Sequence, residues 1–393
     1  MKKILFIGQL PKDVGGSYTT GVAKVVFELS KQKVEGFQFF TYSTNIKDES
    51  ARALCSYKYQ YMGYTYPILR IAKNLLSHPL DTFRQWKIYR KKLNKNPLRF
   101  EFYKANFQDA IDKAMPDLIH MHADGLTPLY FANEDYKIPI VYTCHGVFER
   151  YVDPEAPARL YADYLTGLTP ETLYEIHNYY CCNDDTKIRI IPNGVDCSKF
   201  YFSLEDRIKV RKEMNVDNNT IVFVTVASVQ ERKGQFSFIK LIKDLPINYQ
   251  YWIIGLGPDI ELIEKYCREY NLSDRIKILG YKNSDELYKY YSAADIYAHA
   301  STMEGQALCE IEAFATGLRV LVRDLIKGTI VDDELNSGDY LFVDFDNPKL
   351  DIIKEWVISA PDTSRHSRNN LDWSEVAKKY TNYYNDILNN ELL

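Results

Sequence analysis

The chain is built from short runs in which consecutive positions are apolar, each followed by an amphipathic stretch. In the first half these runs are Ile4–Gly8, Phe37–Tyr42, Leu118–His122, Ile138–Cys144 and Ile188–Ile191. In the second they are Ile221–Ala227, Tyr251–Gly255, Ile276–Leu279, Ile296–Ala300, Val320–Val322 and Tyr340–Val343. A strand with one wet face alternates apolar and polar residues, whereas one covered on both faces by helices is apolar throughout. Between the runs, Val22–Ser30, Gln235–Lys243, Ile260–Tyr270 and Ser284–Ser292 place apolar residues at helical spacing. Strand–helix repetition of this kind predicts parallel, doubly wound α/β sheets. Two such series in 393 residues predict two domains. Turn residues in Ile191-Pro-Asn-Gly-Val-Asp196 mark the boundary, dividing residues 1–198 from 199–372.

Composition excludes several classes. Lys+Arg number 49 against 53 Asp+Glu, a formal net charge of −4, so the basic excess of a general nucleic-acid binder is missing and no nucleic-acid partner is expected. Thirty-two tyrosines among 14 % aromatic residues exclude intrinsic disorder. The apolar start at Ile4 is interrupted by Pro11, Lys12 and Asp13, unlike a secretory signal, and no apolar run is long enough to span a bilayer. Seven cysteines without CxxC spacing read as reduced thiols, and the expected location is cytoplasmic. One segment departs from the average. Residues 70–99 carry nine cations (Arg70, Lys73, Arg84, Lys87, Arg90, Lys91, Lys92, Lys95 and Arg99) and one acid, Asp81, with Phe83, Trp86 and Tyr89 interleaved. It reads either as a solvated helical insertion with Phe83 and Trp86 packed on the domain, or as a docking face for an anionic membrane surface.

The segment richest in chemistry is Asp295–Gly317: a strand to Ala300, a loop through Gly305, and a helix from about Ala307 closed by Gly317. The first amides of a helix have no partner within it and lie at the positive end of its dipole, an arrangement suited to phosphate. Glu304 and Glu312 flank this entrance and can accept hydrogen bonds from sugar hydroxyls, although surface glutamates on a helix fit the same pattern. Arg232 and Lys233 follow the strand ending at Ala227, where cations neutralise phosphate or stand as a solvated pair. Gly255-Leu-Gly-Pro258 carries only two glycines of a dinucleotide fingerprint, because Ile260 stands where the third belongs. Gly15, Gly16 and Gly21 precede the first helix, where glycine lets a ligand approach the backbone. His120 and His122 share a strand face without a third ligand at metal spacing, so no metal site is expected. His145, in Thr143-Cys-His-Gly146, sits at a strand tip, with packing as the alternative role.

The order and spacing of these segments resemble the retaining nucleotide-sugar glycosyltransferases of the GT-B fold, glycosyltransferase family 4. The resemblance runs from the first glycine-rich loop through Asp117–His122, Val141–Gly146, Ile190–Asp196, Arg232-Lys-Gly234 and Ile254–Pro258. Its most specific piece is the Glu-x7-Glu signature, Glu304 to Glu312. The closing Asp372–Tyr380 looks like that family's C-terminal helix, which implies that residues 373–393 pack back on the first domain.

The resemblance implies two Rossmann-like domains facing a donor cleft, with the second domain holding the nucleotide sugar. It places Glu304 on the donor sugar's hydroxyls, Glu312 on the ribose, and the backbone of Gly305, Gln306, Ala307 and Leu308 on the diphosphate. Lys233 would bind the departing phosphate beside Arg232; Gly257, Tyr281 and Lys282 would complete the nucleotide side, with the base at the Gly280–Lys282 loop. His145 would lie near the donor sugar and acceptor, with Gly15, Gly16 or Gly21 framing the phosphate. No cofactor or metal is implied beyond a nucleoside-diphosphate sugar, UDP-linked by expectation, and the acceptor would be a glycan, lipid-linked or protein-linked hydroxyl. The sequence departs from the family at Ala227-Ser228, where Gly-Arg is usual, at Gln306-Ala307 and at Cys309; Glu310 adds an acid. Arg232 is expected to compensate for the arginine missing at Ser228, and Gln306 to contact the donor. A hexosyl- or N-acetylhexosaminyltransferase serving bacterial surface glycans is the expected activity. A non-catalytic sugar-nucleotide-binding subunit and an epimerase or hydrolase of the same fold are the alternatives.

Overall fold

The computed structural model describes all residues except 12–20, 44–60, 64, 94–95, 123–124, 147–160, 170–171, 173–175, 178–183, 303, 325–336, 360–367 and 390–393. The chain divides into two compact units: Met1–Pro192 with Trp373–Leu393, and Asn193–Asp372. The observed break after Pro192 falls inside the Ile191–Asp196 turn cluster, slightly before the expected position at 198.

The first unit contains a seven-stranded sheet in the order β3-β2-β1-β4-β5-β6-β7, every pair parallel. Its strands are β1 Lys2–Gly8, β2 Phe37–Ser43, β3 Tyr61–Gly63, β4 Leu118–Met121, β5 Ile140–Cys144, β6 Tyr164–Gly167 and β7 Ile188–Ile190. One face, with Leu5, Ile7, Ile119 and Met121, packs under the helices Pro97–Ala114 and Leu126–Asn133 through Phe107, Ile111 and Leu129. On β1 and β4 the intervening residues Ile4, Phe6 and His120 are as deeply buried, as a doubly covered sheet requires. Strands β3 and β6 lack a signal in the sequence because three or four residues carry no periodicity; in β6 the polar Thr166 is buried and paired with Thr143, Oγ1 to Oγ1 2.6 Å.

The helix Trp373–Leu388 belongs to this unit. It buries Trp373, Val376, Tyr380, Tyr383, Tyr384 and Ile387, spaced at three and four residues along one face. Polar tips fix its position: Lys2 Nζ donates to Asn385 Oδ1 at 2.6 Å, and Tyr383 Oη donates to the Lys187 carbonyl at 2.8 Å.

The second unit contains a six-stranded parallel sheet in the order β10-β9-β8-β11-β12-β13. Its strands are β8 Ile221–Val226, β9 Tyr249–Ile254, β10 Ile276–Gly280, β11 Ile296–His299, β12 Arg319–Arg323 and β13 Tyr340–Val343. Successive residues feed different cores. Phe223, Tyr251, Ile253, Ala298 and Leu321 enter one cluster, and Val222, Val224, Trp252, Ile254, Tyr297 and Val320 the other. Consecutive apolar residues are therefore needed because both faces of the sheet are core.

The start of this sheet is held by Asp295, just before β11. Its carboxylate accepts from Arg207 Nη2 at 2.6 Å, Arg211 Nη1 at 3.1 Å and the Val222 amide at 2.7 Å. Arg207 also donates to the carbonyls of Ser292, Ala293 and Ala294, and Arg211 to those of Asp217 and Thr220. Both arginines are 8 % exposed, so removing the carboxylate leaves two buried cations uncompensated. Asp295→Ala is expected to cost about 3–5 kcal/mol, read as a lowered Tm for the second unit. Asp295→Asn, which keeps an acceptor oxygen, should cost less.

Candidate functional site

The candidate site of the second unit lies where β8, β9 and β11 end, and glycine brings these exits into backbone contact. A Cβ on Gly234 would lie 1.9 Å from the Ala300 carbonyl oxygen, one on Gly255 1.9 Å from that of Ala227, and one on Gly257 2.0 Å from that of Val229. Gly234 and Gly255 also take φ of +71° and +144°, which side-chain-bearing residues rarely adopt. Gly257 is thus a packing glycine that sets the loop after β9 against the loop after β8.

This contact places Lys233 on Glu304. Lys233 Nζ pairs directly with Glu304 Oε1, and Arg232 Nη1 stands 3.6 Å from the same oxygen. Ser301, which nothing in the sequence singled out, donates from Oγ toward Glu304 Oε1 at 3.0 Å and also lies 3.0 Å from the Arg232 carbonyl. The Thr302 amide donates to that carbonyl at 2.9 Å, locking the loop carrying Glu304 to the one carrying the cations. Burial pushes the Glu304 carboxyl up, but Lys233, with smaller contributions from His299 and Arg232, outweighs burial and leaves it below its ordinary value. The result is an ionised carboxylate with two cations beside one of its oxygens.

The helix Leu308–Ala315 begins one residue later than expected, with Ala307 as its N-cap and no side-chain cap; Gly317 follows it at φ +81°. Leu308 is the first helical residue, and the amides there have no acceptor within the helix. Gln306 has a structural contact of its own. Its Oε1 accepts from the Asn193 amide at 2.7 Å, tying the helix entrance to the start of this unit. Gly305 lies in the intervening bend. Glu312 is 4 % exposed and its Oε2 is 3.4 Å from Tyr291 Oη. Glu310 is a third carboxyl. Burial raises it against the opposing charge of His299, whose Nδ1 lies 3.6 Å away. Ser228, where the family resemblance leads one to expect arginine, accepts on its hydroxyl and carbonyl from Gln230 and Gln235. In the loop after β10, Tyr281 is 68 % exposed and Lys282 Nζ lies 5.5 Å from the Tyr290 ring centroid.

In the first unit, Gly21 opens the helix Gly21–Ser30, while Gly15 and Gly16 lie outside the described residues. His145, just after β5, pairs Nε2 with His122 Nδ1 at 2.9 Å. The His122 ring lies 4.0 Å from that of His120, centroid to centroid. His120 in turn contacts Tyr384 Oη through Nδ1 at 2.6 Å and Thr143 Oγ1 through Nε2 at 2.7 Å. A polar chain therefore runs from the tip of β5 to the helix Trp373–Leu388. Burial lowers all three rings, His145 to about 4 and His120 and His122 well below the usual range. No group of three or more His, Cys, Asp or Glu side chains able to hold a metal ion occurs among the described residues. Cys144, Cys197, Cys267 and Cys309 are not joined in disulfides, and Cys197 Sγ lies 3.5 Å from the Arg368 carbonyl; Cys55, Cys181 and Cys182 lie outside the described residues.

The basic segment folds as two helices, Ile68–Ser77 and Pro79–Leu93. The expectation that Phe83 packs on the domain is corrected, since it is 68 % exposed. The inward face instead carries Thr82, Gln85 and Tyr89, with Trp86 Nε1 donating to Glu101 Oε1 at 2.9 Å.

The whole chain has the fold of known sugar-transferring enzymes. Anabaena HepE in complex with UDP superposes with a TM-score of 0.70 at 16 % identity, covering 98 % of this chain and all of that one. The lipopolysaccharide outer core galactosyltransferase WaaB gives 0.65 at 15 % identity, covering 98 % and 99 %. The fold is therefore GT-B. The family model for Glycosyltransferase Family 4 matches residues 20–199 and that for Glycosyl transferases group 1 matches 206–338. The chain belongs to glycosyltransferase family 4. It is 27 % identical to the alpha-monoglucosyldiacylglycerol synthase of Acholeplasma laidlawii over 64 % of this chain and 69 % of that enzyme. Against the corresponding Streptococcus pneumoniae enzyme it is 23 % identical over 64 % and 61 %. The D-inositol 3-phosphate glycosyltransferase of Corynebacterium glutamicum is 27 % identical over 71 % and 74 %.

Two measurements probe this geometry. Gly234→Ala should force the Lys233 loop away from Ala300, cost about 1–3 kcal/mol, and separate Lys233 from Glu304, seen as lost Tm and as a raised Glu304 carboxyl in NMR titration. For the histidines, the unfolded chain takes up protons near pH 6.5 while the folded His145 does so only near about 4. Acid therefore favours the unfolded state, and the first unit should lose stability steadily from about pH 6.5 toward 4. His145→Phe should flatten that slope.

Proposed function

We propose that the chain transfers a hexosyl or N-acetylhexosaminyl unit from a UDP-sugar to a hydroxyl of a lipid-linked, glycan or protein-linked acceptor, with retention of anomeric configuration and without a metal ion. The observation that carries this reading is the cluster of Lys233, Arg232 and Glu304 beside the uncapped entrance of the helix Leu308–Ala315. As the glycosidic bond breaks, negative charge grows on the leaving diphosphate and positive charge on the sugar. Two fixed cations and helix-terminal amides stabilise the first more in the transition state than in the ground state. Glu304 accepts from the sugar's hydroxyls and keeps Lys233 in place. Arg232 stands in for the arginine missing at Ser228. The family resemblance assigns Glu312 the ribose and His145 a place beside the transferred sugar. The names of the relatives, a glucosyldiacylglycerol synthase and an inositol-phosphate glycosyltransferase, support a sugar donor and a hydroxyl acceptor. A UDP complex among the fold neighbours supports the nucleotide.

The outer surface of the two basic helices supports a membrane-borne acceptor reached from the cytoplasmic face. Leu69, Leu76, Leu80 and Phe83 are 68–87 % exposed, and Lys73, Arg84, Lys87, Arg90 and Lys91 are exposed among them. Apolar side chains between cations suit the boundary of an anionic bilayer, where burial and charge attraction add. No helix among the described residues is long and apolar enough to cross a membrane.

A panel of UDP-, GDP- and ADP-sugars read by thermal shift should single out the UDP-linked donors; absence of a shift with any of them would falsify the donor reading. Arg232→Ala should lower kcat by about tenfold or more, and turnover should persist in EDTA. Vesicles rich in phosphatidylglycerol should bind the protein at low salt, with Leu80→Glu/Phe83→Glu abolishing binding while leaving the donor-induced thermal shift intact.

A further inference from the structure

The pairing of His122 with His145 constrains where the proton of His145 resides. His122 is 2 % exposed, its Nδ1 faces His145 Nε2 at 2.9 Å, and its Nε2 is buried without a hydrogen-bond partner among the described residues. A neutral imidazole carries one N–H, and which nitrogen holds it is set by the partners available. If His122 carried its proton on Nε2, a buried N–H would be left without an acceptor, an arrangement that native structures avoid. With the proton on Nδ1, the N–H is satisfied by His145 and only a lone pair is left bare. The ring has little freedom to escape this choice, because it packs 4.0 Å, centroid to centroid and tilted by 39°, against His120, which is anchored at both nitrogens by Tyr384 and Thr143. The Phe6 ring packs against both imidazoles, 5.8 Å from His122 and 5.5 Å from His120, centroid to centroid.

We propose that His122 is a positioning residue that fixes the tautomer of His145. By donating Nδ1–H to His145 Nε2, it obliges His145 to carry its own proton on Nδ1, so that His145 meets the substrate as a hydrogen-bond donor and not as a base. The inference rests on the reading of His145 as a group beside the transferred sugar, and it specifies the chemistry of that contact: a sugar oxygen accepts from His145, and no proton moves to it during transfer. His145 Nε2 is already engaged, so Nδ1 is the nitrogen left for a ligand. Anchoring by Tyr384 means that the C-terminal helix helps hold the tautomer through His120.

The test begins with two-bond 1H–15N correlation spectra of wild-type protein labelled on histidine nitrogen, with His145 assigned from the signals lost in His145→Gln. Both His122 and His145 should appear as Nδ1–H tautomers. An Nε2–H pattern or an imidazolium at His145 overturns the proposal. In the second arm, His122→Asn retains an amide N–H near the position of Nδ1, whereas His122→Leu removes the donor. His122→Leu should lower kcat by roughly ten- to a hundredfold with donor KM little changed, and should shift His145 toward mixed tautomers. His122→Asn should restore most of the rate and the Nδ1–H pattern. Equal losses in both variants, tracking Tm, would mean that His122 only packs. Unchanged turnover in His145→Ala would instead remove the reading of His145 as a site residue, while the spectra would still report the tautomer.

Discussion

The position of Lys233 against Glu304 depends on backbone touching backbone where three strands of the second sheet end. Residues 227–234, 255–257 and 300 approach so closely that a single Cβ at Gly234, Gly255 or Gly257 would lie 2.0 Å or less from a carbonyl oxygen. Parallel strands deliver all their C-terminal exits to one edge of the sheet, where the following helices begin. Glycine allows these exits to close on one another, and Ser301 and Thr302 then fasten two loops through the Arg232 carbonyl. The cations and the carboxylate beside the helix entrance are thus held by the fold itself, an arrangement of preorganised charge.

A comparable constraint governs the first unit, but it is polar. β4 brings His120 into the core and places His122 just past its end, with Thr143 and Thr166 beside them on β5 and β6. Leaving a buried polar atom unpaired is costly, and for His120 Nδ1 the partner is Tyr384 of the closing helix. The same helix buries aromatic side chains along its length, so one element both covers the sheet and completes its hydrogen bonds. Burial of the linked histidines keeps them neutral, the condition under which tautomer becomes a chemical variable.

Much of the architecture was legible in the residues. Eleven apolar runs correspond to eleven of the strands, because a strand covered on both faces must be apolar at consecutive positions. Strands β3 and β6 were not, since Tyr61–Gly63 and Tyr164–Gly167 are too short to show a period and owe their pairing to neighbours already in place. Of the candidate site, Arg232, Lys233 and Glu304 stood out at strand exits, with the solvated alternatives open until the family resemblance singled them out, and the structure brings the three together. Ser301 was not legible, because a serine in a loop carries no signal until its neighbours are known. The bond that Gln306 accepts from the Asn193 amide was not legible either, because that partner is 113 positions away in sequence. Packing of Phe83, expected under one of the two readings of the basic segment, does not occur, because aromatic residues at helical spacing do not reveal which face meets the domain.

The sequence by itself determined the doubly wound sheets, the helices between them and the residues at the strand exits. All of these follow from local pattern: apolar runs, helical spacing, and glycine where the backbone must turn or approach closely. Only the tertiary structure decided which exits meet, which carboxylate holds Lys233, and which nitrogen of His122 faces His145. Those outcomes arise from contacts between segments tens to hundreds of residues apart, where distance and burial, rather than residue type, set ionisation and hydrogen bonding.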